Sequence, residues 1–347
     1  MAWKEVLPTD TLVFYADILG FSRAVTDSDP AIGEKVLEAA ESVLGNKQTF
    51  DNHPHIFRCG LSDSIFIAYE DLPSSVRGAS SIMRQMGRKR ILLRGALAEG
   101  SLILRPPIFA QESSQFRWPK EPRADRIFPG NLMGRPIVEA VRLAERLKGP
   151  RLSLSSDLAL KFEALHQNIF AEVCAPTEVE DVWEILWPVE IGGDAIERGR
   201  EVILWLYEAM ELLATSLTYT RMGKPHFMGE DIRFRQPVQA SANPHRALST
   251  WKELITEMTD FLEYVARSTS QDARSHLREY FLLTLRAVDR TSKRDPHTWP
   301  GLLTWTPAFW EEIACLLDET PGLPREFAAT VRMIQQQIHQ RLAARKA

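Results

Sequence analysis

The chain has 347 residues, of which 44% are hydrophobic and 25% are charged, values typical of soluble globular proteins. This composition excludes a disordered chain, a collagen-like repeat and a disulfide-stabilised scaffold. The 42 Lys and Arg residues are balanced by 46 Asp and Glu, and the formal net charge of −4 argues against a protein that wraps duplex nucleic acid. We expect a globular protein of at most two domains with no nucleic-acid partner.

The cysteines and the lengths of the apolar runs indicate the cellular compartment of the protein. Cys59, Cys174 and Cys315 have neither CxxC nor Cys/His ligand spacing, so we expect reduced thiols, as in cytosolic proteins. The apolar run at 202–207 is bounded by Glu201 and Glu208. It falls well short of the roughly 20 apolar residues that a membrane span needs. The sequence therefore predicts a cytoplasmic protein that does not associate with membranes.

The first half of the chain alternates strand and helix patterns. Its predicted elements, in chain order, are a strand at 12–16, a helix at 30–44, a hairpin formed by 56–59 and 64–69, a helix at 74–86, strands bent at glycines within 91–104, a helix at 137–147, a strand at 151–155 and a β-rich stretch at 181–191. Five prolines between residues 105 and 130 predict an irregular arm.

After residue 193 only helical periodicity remains. The predicted helices lie at 201–218, 249–266, 273–288, 307–317 and 325–344. We therefore expect an α+β domain over residues 1–193 and an all-helical C-terminal domain over 194–347.

Asp17 ends a strand that is otherwise apolar, where a carboxylate loses hydration unless a cation or a donor compensates it. A second carboxylate, Asp63, lies in the turn of the following hairpin. If the two strands are neighbours, both carboxylates face one sheet edge, an arrangement suited to Mg²⁺ or Mn²⁺. The alternative is that Asp17 caps the next segment and Asp63 is an ordinary turn residue.

Four segments in order resemble the motifs of the class III nucleotidyl cyclases. They are FYADILGF at 14–21, LSDS at 61–64, LRGALAEG at 93–100 and GRPIVEAVRL at 134–143. The resemblance covers roughly the first 190 residues and implies a ferredoxin-like class III cyclase domain. Within the family, the LWPV segment at 186–189 is similar to the bacterial pyrimidine cyclases of the Pycsar antiphage defence systems.

This resemblance implies a role for each matching residue. Asp17, Asp63 and the carbonyl of Ile18 would hold two divalent ions, Mn²⁺ or Mg²⁺. Backbone N–H groups around Gly20 and Phe21 would hold the β and γ phosphates of a nucleoside triphosphate. Another motif residue, Arg142, would neutralise charge that grows on the α-phosphoryl group. The implied product is a 3′,5′-cyclic nucleotide, with pyrophosphate as the leaving group.

The base-reading positions depart from both purine patterns of the family. Cys59, with Arg58 beside it, stands where the first base-reading residue is expected, and Asn131 stands at the second. An asparagine amide offers one acceptor and two donors, so it is compatible with uracil and with cytosine. The resemblance favours cyclic UMP from UTP, and the residues leave cyclic CMP from CTP open.

Two further departures concern the ribose and the triphosphate. The family's ribose-orienting asparagine aligns with Val138, and its late lysine has no match within 160–193. The basic residues that could replace that lysine are Arg94, Arg105, Lys120, Arg123, Arg126 and Arg135.

The resemblance also implies partners. Family members assemble composite sites from two subunits, so we expect a homodimer, and the Pycsar likeness implies an effector protein activated by the product. Two alternatives remain: a degenerate nucleotide-binding sensor without turnover, favoured by Val138, and a purine cyclase acting on ATP or GTP. Retention of Asp17, Asp63 and Arg142 together favours the active enzyme.

Overall fold

The computed structural model describes residues 5–22, 30–46, 53–61, 63–89, 91–105, 131–192 and 271–294, part of 198–213, and scattered positions between 314 and 340. The predicted proline-rich arm and the helix at 249–266 lie outside these residues, as does most of the helices at 307–317 and 325–344. The chain divides into two compact units, residues 1–187 and 188–347.

The described part of the first unit contains ten strands and four helices of eight or more residues. In chain order they are β1 Glu5–Leu7, β2 Leu12–Ile18, α1 Pro30–Gly45, β3 Phe57–Leu61, β4 Ser64–Tyr69, α2 Leu72–Arg88, β5 Leu93–Glu99, β6 Leu102–Arg105, β7 Asn131–Met133, α3 Arg135–Arg146, β8 Leu152–Ser155, α4 Ser156–Val173, β9 Cys174–Pro176 and β10 Val182–Ile185. The helix α4 and the three-residue strands β1, β7 and β9 are not among the predicted elements.

Seven of these strands form one sheet in the order β3-β4-β2-β5-β8-β10-β9. Within it, β2-α1-β3-β4-α2-β5 is a split β-α-β arrangement, and all pairs among its four strands are antiparallel. The order β3-β4-β2-β5 is that of a ferredoxin-like fold, so the α+β prediction is confirmed. The strand β8 extends this sheet by pairing with β5 in parallel.

The apolar strand β2 lies inside the sheet because each of its faces has a partner layer. Val13 and Tyr15 face a core that α3 completes with Ala140 and Ala144. On the opposite face, Tyr69 of β4 packs so closely on α2 that a Cβ at Gly78 would meet its ring. Because side chains alternate along a strand, Asp17 lies on the same face as Tyr15, directly beyond the apolar core.

A second, three-stranded sheet has the order β1-β6-β7. Its inner face contributes Leu7, Leu102 and Leu104 to the same core. The strand β7 begins at Asn131, which pairs in register with Arg105 of β6. Three-residue strands such as β1 and β7 have too little periodicity to be predicted, and their pairing with β6 is what fixes them.

The second unit is described only in part. From residue 198 onward every described residue is helical, and the helix α5 spans Gln271–Arg294. Trp205, Tyr280 and Phe281 are fully buried. No helix in the part of the chain that the structure describes has the length and apolar character needed to cross a membrane.

Candidate active site

The two predicted metal carboxylates lie at one edge of the large sheet. Asp17 stands next to the end of β2, in register with Ser64 of β4 on one side and Arg94 of β5 on the other. The N–H of Ile18 donates to the main-chain carbonyl of Asp63 at 3.0 Å, which ties the β3–β4 turn to the end of β2. The fold therefore holds Asp63 beside Asp17.

The electrostatics of this edge favour a bound cation. Burial of the carboxyl, and after it the charge of Asp63, raise the pKa of Asp17 from an ordinary value of 3.8 to about 6. Arg94 opposes the rise through an ion pair at 3.4 Å, and the charge of Glu145 adds to it. A second cation near Asp17 would favour ionisation of its carboxyl, since opposite charge stabilises the anion.

The donor set fits a hard divalent ion that also binds substrate. Among the described residues, no group of three or more His, Cys, Asp and Glu side chains could by itself hold a metal ion. Two carboxylates and a backbone carbonyl would leave positions for phosphate oxygens and water, the ligands that Mg²⁺ commonly keeps. Ile18 has an apolar side chain, so only its main-chain carbonyl could serve as a ligand.

The predicted phosphate loop follows β2 directly. Gly20 has φ of +81°, a left-handed conformation that glycine adopts without strain, and it is exposed. Phe21 is buried, which leaves its backbone as the group that could meet an anion. Gly20 and Phe21 follow Asp17 by three and four positions in the chain.

Arg142 lies in a different part of the domain. It lines a cavity of 620 Å³ between α3, the start of α4 and the C-terminal end of β5 at Glu99. Asp17 pairs with Arg94, near the other end of β5. Glu99 is five positions after Arg94, or about 17 Å along an antiparallel strand. Neither Asp17 nor Asp63 is among the residues that line the cavity of Arg142.

The residues predicted to read the base, Cys59 and Asn131, lie on different strands, β3 and β7. Arg58 and Cys59 line a cavity of 440 Å³ between α1 and the β3–β4 hairpin, together with Ile18 and Ser64. Cys59 is only 2% exposed, and burial raises the pKa of its thiol to about 11. Asn131, by contrast, is exposed on the three-stranded sheet and lines neither cavity.

The candidates for the missing lysine have individual surroundings. Arg94 is paired with Asp17, and the Nε of Arg135 donates to Glu139 at 2.5 Å within α3. Arg105 is exposed on β6, opposite Asn131. Lys120, Arg123 and Arg126 lie outside the described residues. Val138, in place of the family's asparagine, is 48% exposed near the start of α3.

Sequence reasoning missed a buried ion pair beside the Arg142 cavity. Arg151 and Glu184 are both fully buried and joined at 2.7 Å, and Arg151 also binds Glu178 with two N–H groups. Glu178 belongs to the β9–β10 loop, whose Glu180 carbonyl accepts a hydrogen bond of 2.6 Å from Arg146. The sequence feature that could have identified this ion pair is a charged residue within each of two otherwise apolar strand patterns.

Comparisons with known proteins find similarity in solved structures alone. No family model matches the chain, and no curated protein sequence matches it. The guanylyl cyclase Cya2 is 13% identical over 53% of this chain and 93% of its own, with a TM-score of 0.37. The dimeric guanylyl cyclase domain of the RhoGC fusion protein from the aquatic fungus Blastocladiella emersonii is 12% identical over 54% and 98%, with a TM-score of 0.38. The adenylyl cyclase CyaB from P. aeruginosa is 12% identical over 55% and 97%, with a TM-score of 0.35. Similarity at this level leaves the substrate open.

Proposed function

We propose that the chain is a nucleotidyl cyclase that converts a nucleoside triphosphate into a 3′,5′-cyclic nucleotide and pyrophosphate. The observation that carries the proposal is the pair Asp17 and Asp63, held at one sheet edge by the Ile18 hydrogen bond. It stands within a ferredoxin-like domain whose motifs follow in the order expected of a cyclase. The raised pKa of Asp17 supports it, because two adjacent carboxylates with one arginine leave room for further positive charge.

In the proposed reaction the ribose 3′-oxygen forms a bond to the α-phosphorus. The bond from that phosphorus to the α–β bridging oxygen breaks, pyrophosphate leaves with the electron pair, and the hydroxyl proton passes to solvent. Asp17, Asp63 and the Ile18 carbonyl would hold Mn²⁺ or Mg²⁺, which when bound acidifies the 3′-hydroxyl and neutralises phosphate charge. The N–H groups at Gly20 and Phe21 bind terminal phosphates, and Arg142 stabilises charge on the α-phosphoryl group.

We infer that this chemistry uses two copies of the chain. The metal-holding carboxylates and Arg142 must both meet the same α-phosphoryl group, within hydrogen-bond distance for the arginine. In one chain Arg142 lines a cavity whose lining includes neither Asp17 nor Asp63. A homodimer in which each copy supplies one half of each site satisfies both requirements.

The proposed substrate is a pyrimidine nucleotide, UTP or CTP. Cys59 is only 2% exposed, whereas Asn131 is exposed at the start of β7 and carries an amide that could read a base. Since an amide can present either pattern of donor and acceptor, Asn131 suits both pyrimidines. The likeness to the Pycsar cyclases supports a role as a second-messenger synthase in bacterial antiphage defence, acting through an effector protein.

A second candidate is a degenerate cyclase-fold sensor that binds a nucleotide without turnover. The observation that favours it is Val138, whose apolar side chain is 48% exposed where an active site would present an amide. A purine cyclase is the third possibility, and the same assay distinguishes all three.

The test is to incubate the full-length protein with each of the four ribonucleoside triphosphates and Mn²⁺. Cyclic product is identified by mass spectrometry, and released pyrophosphate is measured separately. We expect cyclic UMP or cyclic CMP, and loss of turnover in Asp17→Asn and Asp63→Asn. Asp10→Asn, an exposed aspartate in the turn before β2, is the matched control and should retain turnover. Absence of product from every triphosphate would refute enzymatic function, and product from ATP or GTP alone would refute the pyrimidine assignment.

A further inference from the structure

One side of α3 faces the 620 Å³ cavity with three cationic residues and one anionic residue. Arg135, Glu139, Arg142 and Arg146 follow each other at spacings of four, three and four residues, so they lie on one side of the helix. Lys161, from the second turn of α4, faces the same cavity. Four cationic side chains thus converge on a space large enough for a small polyanion.

Two of the four cations are neutralised by carboxylates of the same cavity. Arg135 is paired with Glu139, and Lys161 is paired with Glu99. Arg142 and Arg146 have no carboxylate partner within the described part of the chain. The one remaining carboxylate, Asp157, lies in the first turn of α4, where the helix dipole stabilises its charge.

Arg146 is exposed at its end but held in place. Its Nη2 donates to the Glu180 carbonyl at 2.6 Å, which leaves its other N–H groups available. The loop that supplies this carbonyl is fixed by the Arg151–Glu178 contact and by the Ser156 N–H, which donates to the Asp181 carbonyl at 3.1 Å. A guanidinium positioned in this way loses little entropy when an anion binds.

We propose that Arg142 and Arg146 form a two-guanidinium site for neighbouring phosphoryl groups of the substrate, with Arg142 at the α-phosphoryl group and Arg146 at the adjoining pyrophosphoryl part, and that Arg146 supplies the charge for which the sequence has no lysine. The proposal rests on the proposed function, because the substrate is taken to be a nucleoside triphosphate. Residues at i and i+4 of a helix have Cβ atoms about 6 Å apart, so the two side chains can reach neighbouring phosphoryl groups. Guanidinium groups bind phosphate through paired N–H donors, which gives geometry as well as charge.

The test is binding of inorganic pyrophosphate to the full-length protein in metal-free buffer, measured by isothermal titration calorimetry. Removing metal excludes binding through Asp17 and Asp63. Arg146→Gln should weaken pyrophosphate binding about ten- to hundredfold, the loss of one or two charged hydrogen bonds. Lys161→Gln removes the same charge from the same cavity and should change affinity less than about threefold. Arg146→Lys keeps the charge without the paired donors and should recover part of the affinity.

Failure of this proposal is distinguishable from failure of the proposed function. Lack of pyrophosphate binding by the wild-type protein would overturn the site, as would equal losses in Arg146→Gln and Lys161→Gln. If no triphosphate is cyclised but pyrophosphate still binds through Arg146, the anion site stands and the enzymatic proposal fails. If cyclisation occurs, Arg146→Gln should raise KM for the triphosphate more than it lowers kcat. An unchanged KM would refute the proposed role of Arg146 and leave the enzymatic proposal standing.

Discussion

Replacing Asp17 with Asn should stabilise the metal-free protein, although it removes a proposed metal ligand. The pKa of Asp17 is raised to about 6, so the folded state resists ionisation of this carboxyl. Below about pH 3 the group is protonated in folded and unfolded chains alike, and it does not change the free energy of unfolding. As the pH rises toward 6 the unfolded chain ionises first, and the free energy of unfolding falls. Above about pH 6 the full penalty is present.

The magnitude follows from the size of the pKa change. A rise from 3.8 to about 6 corresponds to about 3 kcal/mol. The side chain is 22% exposed and faces Arg94, so solvent screening reduces this to about 1–2 kcal/mol. For a unit of this size we expect Asp17→Asn to raise the melting temperature by about 3–6 °C near pH 8 in EDTA, and to leave it unchanged near pH 3.

The assay is thermal unfolding followed by circular dichroism at both pH values, with and without Mn²⁺. Added Mn²⁺ should stabilise the wild-type protein near pH 8 and leave Asp17→Asn unaffected, because the ion binds the folded state through that carboxylate. Asp10→Asn serves as the control and should behave as the wild type. A lower melting temperature for Asp17→Asn near pH 8 in EDTA would show that Arg94 already compensates the charge, and the reasoning would be wrong.

Three further substitutions test the packing around the site by urea unfolding. Gly78→Ala should cost about 1–3 kcal/mol, because its methyl group would stand 2.4 Å from the Tyr69 hydroxyl; the cost should shrink in a Tyr69→Phe background, and equal costs in both would contradict this explanation. Glu184→Ala deprives the fully buried Arg151 of a buried anionic partner and should cost about 3–5 kcal/mol; a cost below about 1 kcal/mol would mean that water or Glu178 compensates the guanidinium. Asp71→Ala removes the side chain that caps α2 and should cost about 1 kcal/mol, which Asp71→Ser should largely restore.

Several parts of the candidate site could be predicted because short-range patterns determine them. The apolar run of β2 ends at Asp17, and the hairpin that carries Asp63 follows from two β-type runs around a turn. The helix α3 was predicted over 137–147 and is observed at Arg135–Arg146, with Arg142 on its polar side. In each case neighbouring residues suffice, since side-chain alternation and helical spacing are local properties.

Other features depend on contacts between residues distant in the chain. The sequence places Cys59 four residues before Asp63, but only the packing of β3 buries it in the core. Arg151 and Glu184 are 33 residues apart, and neither local sequence pattern indicates that they form an ion pair. Arg146 follows Arg142 by four residues, yet its fixed position depends on the β9–β10 loop.

The sequence by itself determined a ferredoxin-like α+β domain and two carboxylates at one sheet edge, because alternation, turn residues and motif order all act over a few positions. Only the tertiary structure decided that Arg142 shares a cavity with Arg135, Arg146 and Lys161, and that two of these four cations are neutralised. The physical reason is that register and ion pairing depend on which strands and helices meet, and a linear pattern does not specify that.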